Sequence, residues 1–424
     1  MNDKISLKDA ISIGIGGMVG GGIFAVLGLA VSLAKGGTPI AFLLAGIIAL
    51  LTAYSYAKLS KKYPENGGTV KFIHQQYGNG VFAGGINNLL WVSYIVMLAL
   101  YASAFGSYCA QLFSITSEKS IDVRIFQTLI IVGALIINYL SVTLVSRIES
   151  IAVIIKLLIL IAFIALGFYG FTKYPDNLEQ LSPTNWESPL LLLSGGMVIF
   201  VAYEGFELIA NSISDLKDKE KNTEKAYFGA VGFVVILYIL IAIVTVGSLP
   251  FNQIANAEDY VLAKAAEPIL GKIGFTIITI TALISTFSAI NATILGSGRV
   301  NYDIAKDNEL PQCFCHILWG KPIGLLITAV LSIALVNLFD LKSISTAGSV
   351  GFLLIFSIVN FIAYKKHKEL QSKKWIHFLA FIFCFFAFLV LIIQQYTNNK
   401  TGVIISLSII IICFILEWLY KKVN

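Results

Sequence analysis

Residues Gly14 to Phe24 read GIGGMVGGGIF, six glycines within nine positions of an otherwise apolar stretch. Each glycine raises the cost of a continuous helix by about 1 kcal/mol relative to alanine, so a helix laid through this run is expected to break. A second interruption follows at FVAYEGFE, Phe200 to Glu207, where Gly205 sits between two acids in another apolar stretch. Acids at membrane depth are rare and point to function.

The surroundings of both runs are apolar enough to be membrane. Hydrophobic residues make up 57% of the 424 and charged residues 13%, against about 25% charged in soluble domains. Twelve windows of spanning length recur, at 10–34, 36–57, 79–114, 125–146, 150–172, 188–214, 226–250, 273–298, 322–339, 343–364, 378–399 and 401–420. Each meets the requirement of about 20 apolar residues. The expected fold class is therefore an all-α membrane protein of 12 transmembrane helices. No region between spans is large enough for a soluble catalytic domain, and no His-Glu-x-x-His, nucleophile with a base, or cofactor fingerprint occurs. The reading is no enzyme, no cofactor and no metal. Cys313-x-Cys315 beside His316 lacks the second ligand pair a metal site needs.

The net charge of +6 does not indicate nucleic acid, because the basic residues lie in short loops and not on one face or arm. With the N-terminus inside, 21 Lys and Arg face the cytoplasm, 8 face out and one lies within a span. The positive-inside rule then places both termini in the cytoplasm. The first apolar segment lacks a cleavage pattern and is expected to be a retained span.

Between the two interruptions lie five spans, the spacing expected of two five-helix units of inverted topology whose first helices break at the midplane. The units are residues 6–172 and 188–366, followed by two C-terminal spans over 375–422. Unwound backbone in a bilayer needs partners. Half-helix N-termini offer N–H groups to a carboxylate, and freed carbonyls suit an ammonium. An α-amino acid carries both charges. The alternative for the glycines is close helix packing of the small-xxx-small kind, which leaves the acidic break five spans later unexplained.

The stretch SIAVIIKLLILIAFIALGF, Ser150 to Phe168, carries one lysine, Lys156. Lysine at a membrane centre costs about 2.5–3.5 kcal/mol on insertion scales. Lys156 lies roughly 9–13 Å beyond the boundary that Arg147 and Glu149 mark, at 1.5 Å per residue, so snorkelling to water is the competing explanation.

GGMVGGGIF resembles the span-1 signature of the amino acid-polyamine-organocation superfamily, and FVAYEGFE with ANSISDLKDKEKNTEKA resembles its span-6 break and following loop. NATILGSGRVNYDIAKDNELP, Asn291 to Pro311, resembles its span-8 exit. The resemblance runs from about residue 6 to 420 and, through the span-5 lysine, is strongest to proton-coupled, sodium-independent, broad-specificity amino acid transporters of archaeal type. It implies the LeuT-like fold, a 5+5 inverted repeat with broken helices 1 and 6, in a multi-pass protein of the cell membrane working as a monomer. It implies a substrate carboxylate on the amides of Gly20, Gly21 and Gly22, and an amino group near the carbonyls of Phe200, Ala202 and Tyr203, with Gly205 and Phe206 completing the site. Many relatives carry a hydroxyl or small side chain where this chain has Gly21. Lys156 would occupy the sodium position of sodium-coupled members, donating to the carbonyl near Gly16 and to Ser285 and Ser288, which share a face at i, i+3. Burial disfavours a charged amine, so Lys156 is the first candidate for proton coupling, with Glu207 and Glu204 competing. The expected activity is amino acid import with protons; an amino acid or amine exchanger is the alternative.

Overall fold

The computed structural model describes residues 4–64, 67–140, 142–173 and 175–423, and leaves the side chains of 142–150, 173, 176 and 423 undescribed, among them the boundary residues Arg147 and Glu149. The chain is helical nearly throughout. Ser6 opens α1 (Leu7–Met18) with a capping box, its hydroxyl accepting from Asp9 N at 3.3 Å while Asp9 Oδ2 accepts from Ser6 N at 2.8 Å. Helix α2 (Gly22–Ala34) continues after Val19–Gly21, bent by 49° from α1. Then follow α3 (Thr38–Lys62), the short α4 (Gly68–Tyr77), α5 (Val81–Leu112), α6 (Lys119–Leu140) and α7 (Val142–Lys173).

Beyond a turn-rich segment over 175–185, α8 (Pro189–Val198) starts with Pro189 at its first position and Ser188 Oγ accepting from Leu191 N. It gives way to tight 3₁₀ turns at Phe200–Tyr203 and Phe206–Asp215, again bent by 49°. The remainder is α9 (Lys219–Ser248), α10 (Phe251–Asn256), α11 (Val261–Lys306), α12 (Gly324–Leu338), α13 (Leu341–Lys365), α14 (Lys374–Asn398) and α15 (Lys400–Val423), with a two-residue hairpin pairing Ile317–Leu318 and Lys321–Pro322.

Among the described residues, nine unbroken helices and the two bent pairs are long and apolar enough to cross a membrane. The remaining expected span is α12, only 15 residues long. Helix α6 ends at Leu140 and α7 is helical from Val142, with its apolar spanning stretch starting at Ile151, as the window from residue 150 expects. Lys156 therefore lies about 21 Å along α7, and it is fully buried, so it does not reach water along its own stem. The eighth span starts where its window expects, just past the kink at Gly271, which is non-helical (φ 62, ψ −151) and separates it from a preceding helical segment that contains Pro268. The short α4 was not expected, since its ten residues mix apolar and polar types.

Burial sorts the helices. In the most apolar windows of α5 and α13, 83% of residues are buried, against 22% in α6 and 28% in α15, so the former line the centre and the latter face lipid. The α15 helix is nevertheless anchored by an acid. Glu417 is 1% exposed and its carboxyl lies directly over the bare Cα of Gly84 on α5, where any Cβ would overlap it. Asn88 Nδ2 donates to Glu417 Oε2 at 3.1 Å. Gly84→Val is expected to push α15 off α5 at a cost of about 1–3 kcal/mol, the usual range for overpacking, and to lower the apparent melting temperature of the detergent-purified protein; an unchanged melting curve would contradict this packing.

Candidate functional site

The two helix breaks meet backbone to backbone. A Cβ on Gly17 would stand 2.9 Å from Gly205 Cα, and one on Gly205 would stand 2.5 Å from the Gly17 carbonyl carbon. Gly205 also has φ +116, a conformation other residues rarely adopt. Only bare glycines allow this approach. Around it Met18 to Phe24 and Phe200 to Glu207 are all buried.

Freed backbone groups at the first break divide by type. Helix α2 begins at Gly22 with no side-chain cap, and its first intrahelical acceptor, Gly21 O, is taken by Ala25 N at 3.0 Å. The N–H groups of Gly21, Gly22 and Ile23 therefore make no hydrogen bond among the described residues, while Gly20 N donates weakly to Gly17 O at 3.3 Å. Carbonyls are satisfied by side chains from other helices. Lys156 Nζ donates to Gly16 O at 3.3 Å, and Ser285 Oγ contacts Val19 O at 3.0 Å and, more closely, Gly20 O. Ser285 thus reaches the same break as Lys156 through neighbouring carbonyls, and Ser288 is buried one turn further along α11. The arrangement leaves bare donors on the α2 side and covered acceptors on the α1 side. An anion fits the former.

At the second break Ser349 accepts from Val201 N at 3.1 Å and, with Ser345, donates to Val198 O. Tyr238, in the middle of α9, has its hydroxyl 2.7 Å from Met18 O and 3.1 Å from Ala202 O, so one proton is shared between the carbonyls of both breaks. Sequence reading missed it, although a tyrosine deep in an apolar span signals a hydroxyl in need of a partner. The Tyr203 hydroxyl turns away, donating to Phe42 O at 2.8 Å, while its ring lies 5.3 Å from that of Tyr238. Phe206 is fully buried between Tyr56, at 5.5 Å, and Phe356, at 5.2 Å. Phe200 packs on the same Phe356 at 6.0 Å.

The two acids of the second break are 5% and 3% exposed and lie within hydrogen-bonding reach of each other. Glu207 Oε2 accepts from Gly205 N at 2.8 Å and its Oε1 from Tyr94 Oη at 3.4 Å. Glu204 Oε2 accepts from Tyr101 Oη at 3.1 Å, and the Tyr101 ring lies over Gly21. Tyr101 thus joins the acid of one break to the glycine of the other; it was the second residue that sequence reading missed. Trp91 on α5 donates to Thr328 Oγ1 at 3.0 Å. Among the described residues no three His, Cys, Asp or Glu side chains converge as metal ligands.

The sequence model of the amino acid permease family matches residues 5–415 of this chain. An uncharacterized protein of Methanocaldococcus jannaschii, MJ0609, is 34% identical over 100% of this chain and 96% of its own length. The inner membrane transport protein YbaT of Escherichia coli is 32% identical over 88% of this chain and 85% of its own length. The serine/threonine exchanger SteT of Bacillus subtilis is 26% identical over 73% and 70%.

Because Tyr238 serves a carbonyl of each break, Tyr238→Phe is expected to cost about 1–3 kcal/mol for each buried acceptor left unmet. The measurement is the thermal midpoint of purified protein with its helical circular-dichroism spectrum unchanged; a midpoint equal to the parent's would show that the bridge is unimportant.

Proposed function

From the premise that this chain belongs to the amino acid permease family and is a transporter, not an enzyme, we propose that it imports amino acids across the cell membrane together with protons, without sodium, by alternating access. The observation that carries the reading is the meeting of the breaks: bare N–H groups on one side, carbonyls on the other, and a buried ammonium beside them. In this reading the substrate carboxylate rests on the amides of Gly21, Gly22 and Ile23, with Gly20 adjacent, and the amino group lies toward the carbonyls of Phe200, Ala202 and Tyr203. Binding there would compete for Ala202 O with Tyr238, which couples occupancy to the tie between breaks. Phe206, wedged between Tyr56 and Phe356, is suited to gate the inner side.

The two bent pairs are then the first helices of two inverted five-helix units, both termini lie in the cytoplasm, and a monomer suffices. Lys156 replaces a sodium ion. Its charged amine ties α7 to α1 through Gly16 O, a bond worth about 1.5–3 kcal/mol when one partner is charged. Losing the proton toward the cytoplasm weakens that tie and frees the break to move. Glu204 and Glu207 form the second proton store, since a hydrogen bond between two carboxyl groups holds a proton between them.

Exchange is the second reading, favoured by the likeness to the serine/threonine exchanger SteT. Purified protein in liposomes separates the two. Under an imposed gradient, acidic outside, the parent is expected to accumulate an amino acid first found by thermal-shift screening, and Lys156→Ala to fall to the level of protein-free vesicles while counterflow of preloaded substrate persists. Gradient-driven accumulation that survives the substitution would defeat the lysine assignment; accumulation by the parent only with preloaded substrate would establish the exchanger.

A further inference from the structure

A second buried polar network lies away from the breaks, where α4, α5, α15 and the loop after α11 converge. His74 on α4 stands at its centre. Its Nδ1 is 3.4 Å from Asp307 Oδ2 and its Nε2 is 2.8 Å from Glu309 Oε1. That same Nε2 is 3.0 Å from Asn87 Nδ2 on α5. Glu309 is 1% exposed, and its second oxygen accepts from Asn87 Nδ2 at 2.6 Å, while its backbone carbonyl accepts from Asn88 Nδ2 at 3.2 Å. Lys421 on α15 closes the ring, donating to Asn308 O at 2.8 Å and lying 3.9 Å from Glu417 Oε1.

The arrangement around Nε2 is two-sided. A ring nitrogen without a proton accepts from the Asn87 amide; one with a proton donates to Glu309. Only the doubly protonated ring donates to both carboxylates, and these charge-assisted bonds are the stronger kind. Nearby, Asn87 Oδ1, Asn88 Oδ1 and Glu417 Oε1 are buried without a hydrogen-bond partner among the described residues. A proton arriving at His74 goes to the carboxylates of Asp307 and Glu309, which its two nitrogens face. Lys71 stands three residues before His74 on α4, and Asp303 and Lys306 lie in the last turn of α11, where Arg299 also acts on Asp303.

The position gives the proton something to control. The N-terminal end of α4 abuts the inner half of the sixth span, where a Cβ on Gly68 would meet Asn211 Oδ1 at 2.9 Å and Ala210 Cβ at 3.3 Å. The other end carries His74 to the exit of α11. We propose that His74 is a proton-binding site that latches the cytoplasmic side: charged, it ties α4 to Asp307 and Glu309 and holds the inner side shut; neutral, it turns to Asn87 and releases the loop after α11. Imported protons that acidify the cytoplasm would thereby slow inward opening. The proposal takes from the proposed function that the inner side faces the cytoplasm and opens and closes; only its link to imported protons rests on proton coupling.

Hydrogen–deuterium exchange on purified full-length protein tests it. Histidine ordinarily changes charge between about pH 5 and 8. Amides of α4 and of residues 304–310, corrected for intrinsic rate, should exchange roughly 5-fold or more slowly at the acid end of that range than at the alkaline end. His74→Gln should abolish the difference, and Asp307→Asn, at an exposed carboxylate, should shrink it with the fold intact. No difference in the parent, or an undiminished one in either variant, would overturn the latch. The readout needs neither substrate nor gradient, so its failure is distinct from failure of proton-coupled uptake.

Discussion

Everything at the centre of this protein depends on the contact between Gly17 and Gly205. Two helices interrupted in a bilayer expose peptide groups that hydrocarbon cannot satisfy, at several kcal/mol for each group left alone. Placing the interruptions against one another lets each be served by side chains crossing from elsewhere: Tyr238 for both, Ser285 and Lys156 for the first, Ser345 and Ser349 for the second. The bare Cα surfaces are what permit the approach. A single methyl on either glycine would separate the chains and strand the carbonyls that now share a donor.

The same economy explains which groups are left open. Carbonyls around the break are largely covered by hydroxyls and an amine, whereas the α2 amides of Gly21 to Ile23 are not. Polarity is therefore lopsided, positive toward α2, with two carboxyl groups at Glu204 and Glu207 held nearby by Tyr101 and Tyr94. The tyrosines have a double use: their rings fill space between helices while their hydroxyls satisfy buried acceptors.

Much of this was legible in the residues. Glycine runs and acids inside apolar windows located both breaks, because composition at those positions contradicts an unbroken span. The windows located the spans well; what they did not show is that α7 is already helical from Val142, ahead of its apolar stretch from Ile151, and that a further helical segment precedes the kink at Gly271. The burial of Lys156 was suggested by its apolar neighbours. Tyr101, Tyr238 and His74 were not legible, since their importance lies in partners such as Glu204, Met18 and Glu309, 103 to 235 positions away in the chain, and no local pattern encodes such pairings. The short α4 escaped because its ten residues carry no spanning signal.

Helix α12 has a consequence beyond the transport path. Its 15 residues reach only about 22 Å, while the hydrocarbon layer is about 30 Å thick, and Val330, Leu331 and Leu338 are exposed along it. Lipids on that flank must thin or tilt to meet it, whereas those beside the 32-residue α7 need not. A span this short is met by thinning of the bilayer, by snorkelling of flanking residues or by oligomerisation, so the acyl-chain length of the host bilayer becomes a variable that bears on the α12 side of the molecule more than on the α7 side.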